Sequence, residues 1–148
     1  MIDTIILNSN ATSWEELFDE VSQYLLEKGI VKSGYKEFLI KREKEFPTGL
    51  KFSDTFAIAL PHADIQYSNK QCVVLVKPNK DVKFNRMDEK SETVKVDLVV
   101  FLIITDANSY NKFLSGLLEL LQNIEIQKII KEGKLDLVAE EIKKLSQN

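Results

Sequence analysis

Two short runs in which every residue is apolar are the features that most restrict how this chain folds. Leu98 to Ile104 is seven residues long, and Phe56 to Leu60 is five. A membrane-spanning helix needs about 20 apolar residues, so neither run is long enough to be one. Short apolar runs without alternation are typical of strands that are covered on both faces. Pro61 follows the shorter run and cannot donate a ladder hydrogen bond, so strand pairing is expected to fail there.

Amphipathic helical patterns flank these strands. Thr12 and Ser13, each with a Glu three residues later, offer two overlapping capping boxes and predict the start of a helix that ends near Gly29. A second helical pattern opens at Ser33 and is expected to stop at Pro47, with a turn after it. Asn108 is placed to cap a third helix, and two further amphipathic helices follow it.

The remaining extended segments complete the prediction of the fold class. Residues 71–77 are expected to form a strand, and residues 94–104 are expected to form one strand that runs from the rim of a sheet into its centre. Helices on both sides of buried strands indicate an α/β fold, a sheet with helices on both faces. With 148 residues, and about 150 residues as the usual size of one domain, a single domain over residues 1–148 is predicted.

Composition and charge argue against several classes of function. The 20 basic and 23 acidic residues give a net charge of −3, which disfavours binding to a nucleic-acid backbone as the main role. Cys72 is the one cysteine, so the chain has no internal disulfide. Residues 1–10 contain no apolar signal segment, so we expect no direct membrane insertion and a cytoplasmic location.

Few residues of this chain can carry chemistry. One His and one Cys do not supply the ligands of a zinc site, and the glycines form no nucleotide-binding loop, so no metal and no cofactor are predicted. His62 is left as the candidate. It lies just past the carboxyl end of a predicted strand, where open α/β sheets place their functional crevice. A neutral imidazole there can act as a nucleophile, although a lone His is more often structural.

Arg42 is the second candidate. It lies seven residues after Tyr35 and three after Leu39, which places it on or beside the apolar stripe of its helix. A guanidinium in that position extends past the core to solvent, pairs with a local Glu, or reaches an anion held near His62. Because the guanidinium fork matches phosphate oxygens, the combination of Arg42 and His62 suggests phosphoryl exchange between protein side chains.

Three segments resemble a known family, the enzyme IIA proteins of the bacterial sugar phosphotransferase system (PTS), of the fructose/mannitol type. The resemblance is carried by Arg42–Leu50 (REKEFPTGL), by Ala57–Asp64 (AIALPHAD), and by Phe113, Leu114 and Leu117 of the late helix. In order and spacing these segments are most similar to the galactitol-specific members. The resemblance implies a mixed β-sheet flanked by helices on both faces.

The family's chemistry implies roles for two of these residues. His62 would accept a phosphoryl group from the phosphocarrier protein HPr and pass it to a Cys of a cognate enzyme IIB, which phosphorylates a sugar during uptake through the membrane enzyme IIC. Arg42 matches the active-site Arg of the family and would stabilise the phosphoryl charge. The sugar, by overall resemblance, would be galactitol.

The resemblance has departures that concern the surroundings of the phosphoryl group. Tyr110 stands where many members have a second His, and would either donate a hydrogen bond to a phosphoryl oxygen or belong to the core. Gln66 replaces the acidic residue that follows the histidine in mannitol-type members, which leaves Asp64 as its substitute. Thr48 would contact the phosphoryl oxygens or simply end a helix, and Cys72 is expected to be a buried apolar residue.

Two alternative functions stay open at this point. One is a regulatory module in which phosphorylation of His62 controls a transcription factor or a transporter, since a phosphoryl group adds about −1.5 to −2 charges. Neighbouring genes for enzymes IIB and IIC would favour transport instead. The other is a structural interaction domain with an inert His62.

Overall fold

The computed structural model describes residues 2–145. Within that range the strands are β1 (Asp3–Ser9), β2 (Gly49–Ser53), β3 (Phe56–Ala59), β4 (Cys72–Pro78), β5 (Lys83–Asn85), β6 (Thr93–Lys95) and β7 (Leu98–Ile103). The α-helices are α1 (Trp14–Glu27), α2 (Tyr35–Glu45), α3 (Ala107–Leu121), α4 (Ile124–Lys131) and α5 (Leu135–Leu145), and a short 3₁₀ helix covers Ile65–Tyr67. No helix of residues 2–145 is both long enough and apolar enough to cross a membrane.

A mixed five-stranded sheet in the order β1-β4-β7-β3-β2 forms the centre of the fold. Strand β4 is parallel to β1 and antiparallel to β7, while β3 is parallel to β7 and antiparallel to β2. The carboxyl ends of β3 and β7 therefore lie at the same edge of the sheet as the amino end of β2. The predicted architecture, an α/β fold with a mixed sheet, is confirmed.

Strand β7 shows why helices cover both faces of the sheet. All of its residues are buried, and successive side chains point to opposite faces. Val99, Phe101 and Ile103 pack in one cluster with side chains of α1 and α2. The alternate residues pack with α3, α4 and α5 in a second cluster. The ring centroids of Phe101 and Phe18 are 5.4 Å apart in an edge-to-face contact, which anchors α1 to the sheet.

The prediction of one strand over residues 94–104 is wrong. Strand β6 pairs with β5 in a separate two-stranded sheet, and β7 begins only at Leu98. Between them the Val96 N–H donates to the Val82 carbonyl at 3.1 Å, and the Asp97 carboxylate accepts the Ala57 N–H at 3.0 Å. The alternating residues before Val96 therefore belong to β6, the second strand of a hairpin that we call the β5–β6 hairpin (residues 83–95).

The helix starts are partly as predicted. Of the two predicted capping residues, Ser13 is the one that caps α1, and its hydroxyl accepts the Glu16 N–H at 3.2 Å. For α3, however, the cap is Asp106, whose carboxylate accepts the Asn108 N–H at 2.9 Å. The residue that precedes α2 is Gly34, with φ of 96°, and no side chain caps that helix. A carboxylate earlier in the chain thus displaces Asn108 as the cap.

Gly49, the first residue of β2, is pressed against the β5–β6 hairpin. A Cβ there would lie 2.6 Å from the Asn85 carbonyl oxygen, a backbone atom that cannot rotate away. We therefore expect Gly49→Ala to lower the free energy of unfolding by about 1–3 kcal/mol in urea denaturation.

Gly116→Ala is the matched control for that substitution. The nearest atoms to a Cβ at Gly116 would belong to the Leu145 side chain, with Cδ2 at 3.1 Å, and that side chain can move. Since Ala is favoured over Gly inside a helix by about 0.5–1 kcal/mol, this variant should not lose stability. Equal losses in the two variants would contradict the argument from Gly49.

Candidate functional site

The structure places His62 at the sheet edge formed by the carboxyl ends of β3 and β7. Strand β3 ends at Ala59, and the chain continues beside β7, where the Leu102 N–H donates to the Pro61 carbonyl at 3.1 Å. His62 itself forms an isolated bridge with Leu102. This contact holds the histidine backbone against a fully buried strand.

A hydrogen bond determines which nitrogen of His62 carries the proton. Its Nδ1 lies 3.0 Å from the Leu60 carbonyl oxygen, and a carbonyl oxygen only accepts, so Nδ1 is the protonated atom. Nε2 then has an available lone pair. Burial lowers the pKa of His62 from its usual 6.5, and Arg42 lowers it further, while the Leu60 carbonyl and Asp64 act in the opposite direction. The neutral, nucleophilic form is therefore favoured.

This pKa can be measured directly, since the chain contains one His and the imidazole proton signals of the untagged protein therefore belong to His62. We expect an NMR titration midpoint below 6.5. As the pH falls below 6.5 the unfolded chain binds a proton before the folded chain does, so the free energy of unfolding should decrease there. Arg42→Ala should raise the midpoint and Asp64→Asn should lower it. A wild-type midpoint at or above 6.5 would contradict the structure.

Arg42 lies in the last turn of α2 and is half-buried. Its positive charge lowers the pKa of both His62 and Tyr110, which places the guanidinium within electrostatic reach of both rings. The guanidinium carbon lies 5.6 Å from the centre of the Phe46 ring. No carboxylate among residues 2–145 forms an ion pair with Arg42.

Tyr110, in the first turn of α3, is the third member of this group. Its ring centroid lies 6.5 Å from that of His62, with the ring planes at 45°. Burial raises the pKa of Tyr110, so its hydroxyl keeps its proton at neutral pH. Asp64, two residues after His62, is exposed and precedes the 3₁₀ helix. The structure thus brings His62, Arg42 and Tyr110 together and leaves Asp64 at the rim.

Thr48 is engaged with a residue that the sequence analysis does not single out. Its N–H donates to Glu43 Oε2 at 2.7 Å, and its hydroxyl donates to Glu43 Oε1 at 2.9 Å. Both residues are buried. In this geometry the Thr48 hydroxyl already donates its hydrogen bond to Glu43. A signal for Glu43 was present in the sequence, because it follows Tyr35 and Leu39 at intervals of four along the buried face of α2.

Cys72 is fully buried, and burial raises the pKa of its thiol to about 11. It is therefore a protonated, apolar side chain at neutral pH, as the sequence analysis expects. Within residues 2–145, no group of three His, Cys, Asp or Glu side chains is arranged to hold a metal ion.

Comparison with known proteins assigns the chain to a family. Residues 2–144 match the family described as "Phosphoenolpyruvate-dependent sugar phosphotransferase system, EIIA 2". The chain belongs to this EIIA family. The resemblance drawn from the REKEFPTGL and AIALPHAD segments is thereby confirmed.

Individual relatives and solved structures agree with this assignment. The galactitol-specific EIIA component of Escherichia coli (strain K12) is 32% identical over 111 residues, which are 75% of this chain and 73% of that protein. The E. coli complex of enzyme IIA mannitol with phosphorylated enzyme IIB mannitol contains a similar structure, with a TM-score of 0.71, 22% identity, and coverage of 93% of this chain and 92% of that one. The crystal structure of E. coli IIA mannitol gives a TM-score of 0.70 at 22% identity, covering 93% and 94% of the two chains. The fold is thus that of the mannitol-type IIA proteins.

EIIA components are phosphotransferases, and membership in the family makes this chain a phosphoryl carrier of a sugar phosphotransferase system.

Proposed function

We propose that His62 carries the phosphoryl group and that Nε2 is the atom to which the phosphorus bonds. The observation that carries this proposal is the hydrogen bond of 3.0 Å between Nδ1 and the Leu60 carbonyl. It keeps the ring proton on Nδ1 and leaves Nε2 with the lone pair that a nucleophile requires.

HPr is the proposed donor, and a Cys of a cognate enzyme IIB is the proposed acceptor. In the first step the N–P bond of phosphorylated HPr breaks while the Nε2–P bond of His62 forms, and the donor nitrogen keeps the electron pair. In the second step the thiolate of enzyme IIB attacks phosphorus, an S–P bond forms, and the electron pair of the Nε2–P bond returns to Nε2. The ring of His62 keeps its Nδ1 proton throughout, and the Leu60 carbonyl stabilises the positive charge that develops there.

The neighbouring side chains would stabilise the phosphoryl oxygens. Arg42 offers a guanidinium that no described carboxylate neutralises, and charge on those oxygens is what the transition state must accommodate. The Tyr110 hydroxyl, protonated at neutral pH, would donate a hydrogen bond to one of them. Asp64 carries a negative charge, so we assign it to the periphery, and Thr48 would act through the segment that it helps to hold.

Partners and sugar follow from the same proposal. Phe46 and Ile65, which are 58% and 48% exposed, lie close in sequence to Arg42 and His62 and give a docking partner apolar surface next to the site. The sugar would be galactitol, as for the E. coli relative, and it would enter through a membrane enzyme IIC while this chain acts in the cytoplasm.

Intact-mass measurement tests the proposal. After incubation with phosphoenolpyruvate, enzyme I and HPr, the untagged protein should gain the mass of one phosphoryl group. The adduct should be lost in acid, as an N–P bond is, and should map to the peptide that contains His62. Omission of HPr should prevent its formation. An unmodified protein, or an adduct on another peptide, would overturn the assignment of His62.

A further inference from the structure

A buried carboxylate, that of Glu43, lies next to the segment that leads from α2 to β2. Glu43 is 5% exposed, and among residues 2–145 it is the one charged residue that is buried. Both of its oxygens accept from Thr48, at 2.7 Å and 2.9 Å. Burial nevertheless raises the pKa of Glu43 to about 7. Because a carboxylate in such a place costs free energy of folding, packing alone does not explain its presence.

The two hydrogen bonds of Glu43 fix the segment between α2 and β2. Thr48 directly precedes Gly49, which pairs with Ala59 at the sheet edge where the chain continues to His62. At the other end of the segment the Phe46 N–H donates to the Arg42 carbonyl at 2.7 Å. Residues 46–48 are therefore held both to the helix and to the sheet.

Phe46 lies on this fixed segment and provides a surface for the Arg42 guanidinium. The guanidinium carbon lies 5.6 Å from the ring centre, and the Lys90 Nζ of the β5–β6 hairpin lies 5.4 Å from the same centre. A guanidinium stacked on an aromatic face loses part of the rotational freedom that a long side chain has in water. Phe46 thus limits the positions that Arg42 can take.

We propose that Glu43 is a positioning residue for phosphoryl transfer, which holds residues 46–48 so that Phe46 keeps the Arg42 guanidinium beside His62. This inference rests on the proposed function of His62. Glu43 acts through other residues, so its replacement should change the rate of transfer and leave the binding of the donor unchanged.

Transfer kinetics provide the first test. Glu43→Gln should lower the maximal rate of transfer from phosphorylated HPr by about 10- to 100-fold with an unchanged apparent KM, since a small displacement of a positioned group has effects of that size. In an Arg42→Ala background the same substitution should cause no further loss, because the two residues act together. Thr48→Val removes one of the two hydrogen bonds without a change in charge and should cause a smaller loss. If Glu43→Gln does not fold, Thr48→Val still tests the same contact.

Glu20→Gln is the matched control. Glu20 also accepts from a buried hydroxyl, that of Ser9 at 2.7 Å, but Ser9 lies at the carboxyl end of β1, the opposite edge of the sheet from His62. This variant should transfer at the wild-type rate.

The His62 titration provides a second test that does not depend on transfer. Arg42 lowers the pKa of His62, so a displaced guanidinium should raise the NMR midpoint of Glu43→Gln towards that of Arg42→Ala. A folded Glu43→Gln variant with the wild-type rate and midpoint would overturn the inference, and so would an additive loss in the Arg42→Ala background. If wild-type protein accepted no phosphoryl group, the proposed function would fail, while the midpoint would still show whether Glu43 holds Arg42.

Discussion

Phosphorylation by HPr is expected to disappear when His62 is replaced by Asn or by Ala. The Asn side chain can still donate an N–H group to the Leu60 carbonyl, which His62 Nδ1 contacts at 3.0 Å, so the local structure is expected to persist. The amide nitrogen has a delocalised lone pair and is not a nucleophile at phosphorus. Both variants should therefore retain the wild-type mass after incubation with phosphoenolpyruvate, enzyme I and HPr, whereas the wild-type protein is converted to its phosphorylated form.

Cys72→Ala is the control for this experiment, since Cys72 is the other soft nucleophile of the chain. Its thiol is buried, and a pKa of about 11 keeps it protonated at neutral pH. The Cys72→Ala variant should still gain one phosphoryl group. Phosphorylation that persisted in both His62 variants and vanished in Cys72→Ala would show that the assignment of the nucleophile is wrong. Near-ultraviolet circular dichroism of each variant would separate lost chemistry from lost structure.

The central strands were predictable because their hydrophobic pattern has one physical explanation. Every residue of Phe56–Ala59 and of Leu98–Ile103 is buried. Continuous burial of that kind requires cover on both faces, and the amphipathic patterns on either side supply helices to provide it. The α/β prediction therefore depended on which segments are buried, and the order of apolar and polar residues along the chain indicates this directly.

The edge strands were not predictable on the same grounds. Strands β1 and β2 lie at the two ends of the sheet, and much of each is exposed or half-buried. An edge strand pairs on one side only, so it needs no apolar run. The division at Val96 and Asp97 was missed for a related reason, because it depends on hydrogen bonds to Val82 and Ala57, which are distant in sequence.

The candidate site shows the same limit. His62 and Arg42 could each be selected from local pattern and family resemblance. Their proximity follows from the position of β3 between β7 and β2, which brings the end of α2 to the same sheet edge as His62. Glu43 was overlooked because a charge within a mixed-sign helical segment is usually solvated, although its spacing from Tyr35 and Leu39 indicates the buried face. The two hydrogen bonds from Thr48 to its carboxylate are visible only in the packed structure.

Arg42→Ala is expected to slow phosphoryl transfer to His62 by about 10²- to 10³-fold, the usual effect of removing one donor that stabilises transition-state charge. The charge of the transferring group is spread over its oxygens, and the guanidinium is the cation within electrostatic reach of His62. Loss of Arg42 also raises the pKa of His62, but a more basic nucleophile does not replace the lost stabilisation. Rapid-quench measurement of transfer from phosphorylated HPr gives the rate. Arg42→Lys, which keeps the charge and loses the planar fork, should fall between wild type and Arg42→Ala.

Lys41→Ala distinguishes this local role from attraction of the donor by surface charge. Lys41 is the exposed neighbour of Arg42 on α2 and carries the same charge. If Arg42 acts on the phosphoryl group itself, Lys41→Ala should transfer at nearly the wild-type rate. At an ionic strength near 1 M, where the screening length is about 3 Å, long-range attraction is suppressed but contact between charges persists. The deficit of Arg42→Ala should therefore survive in high salt. A deficit that Lys41→Ala shared, or that high salt removed, would mean that Arg42 recruits the donor and does not stabilise the transferring group.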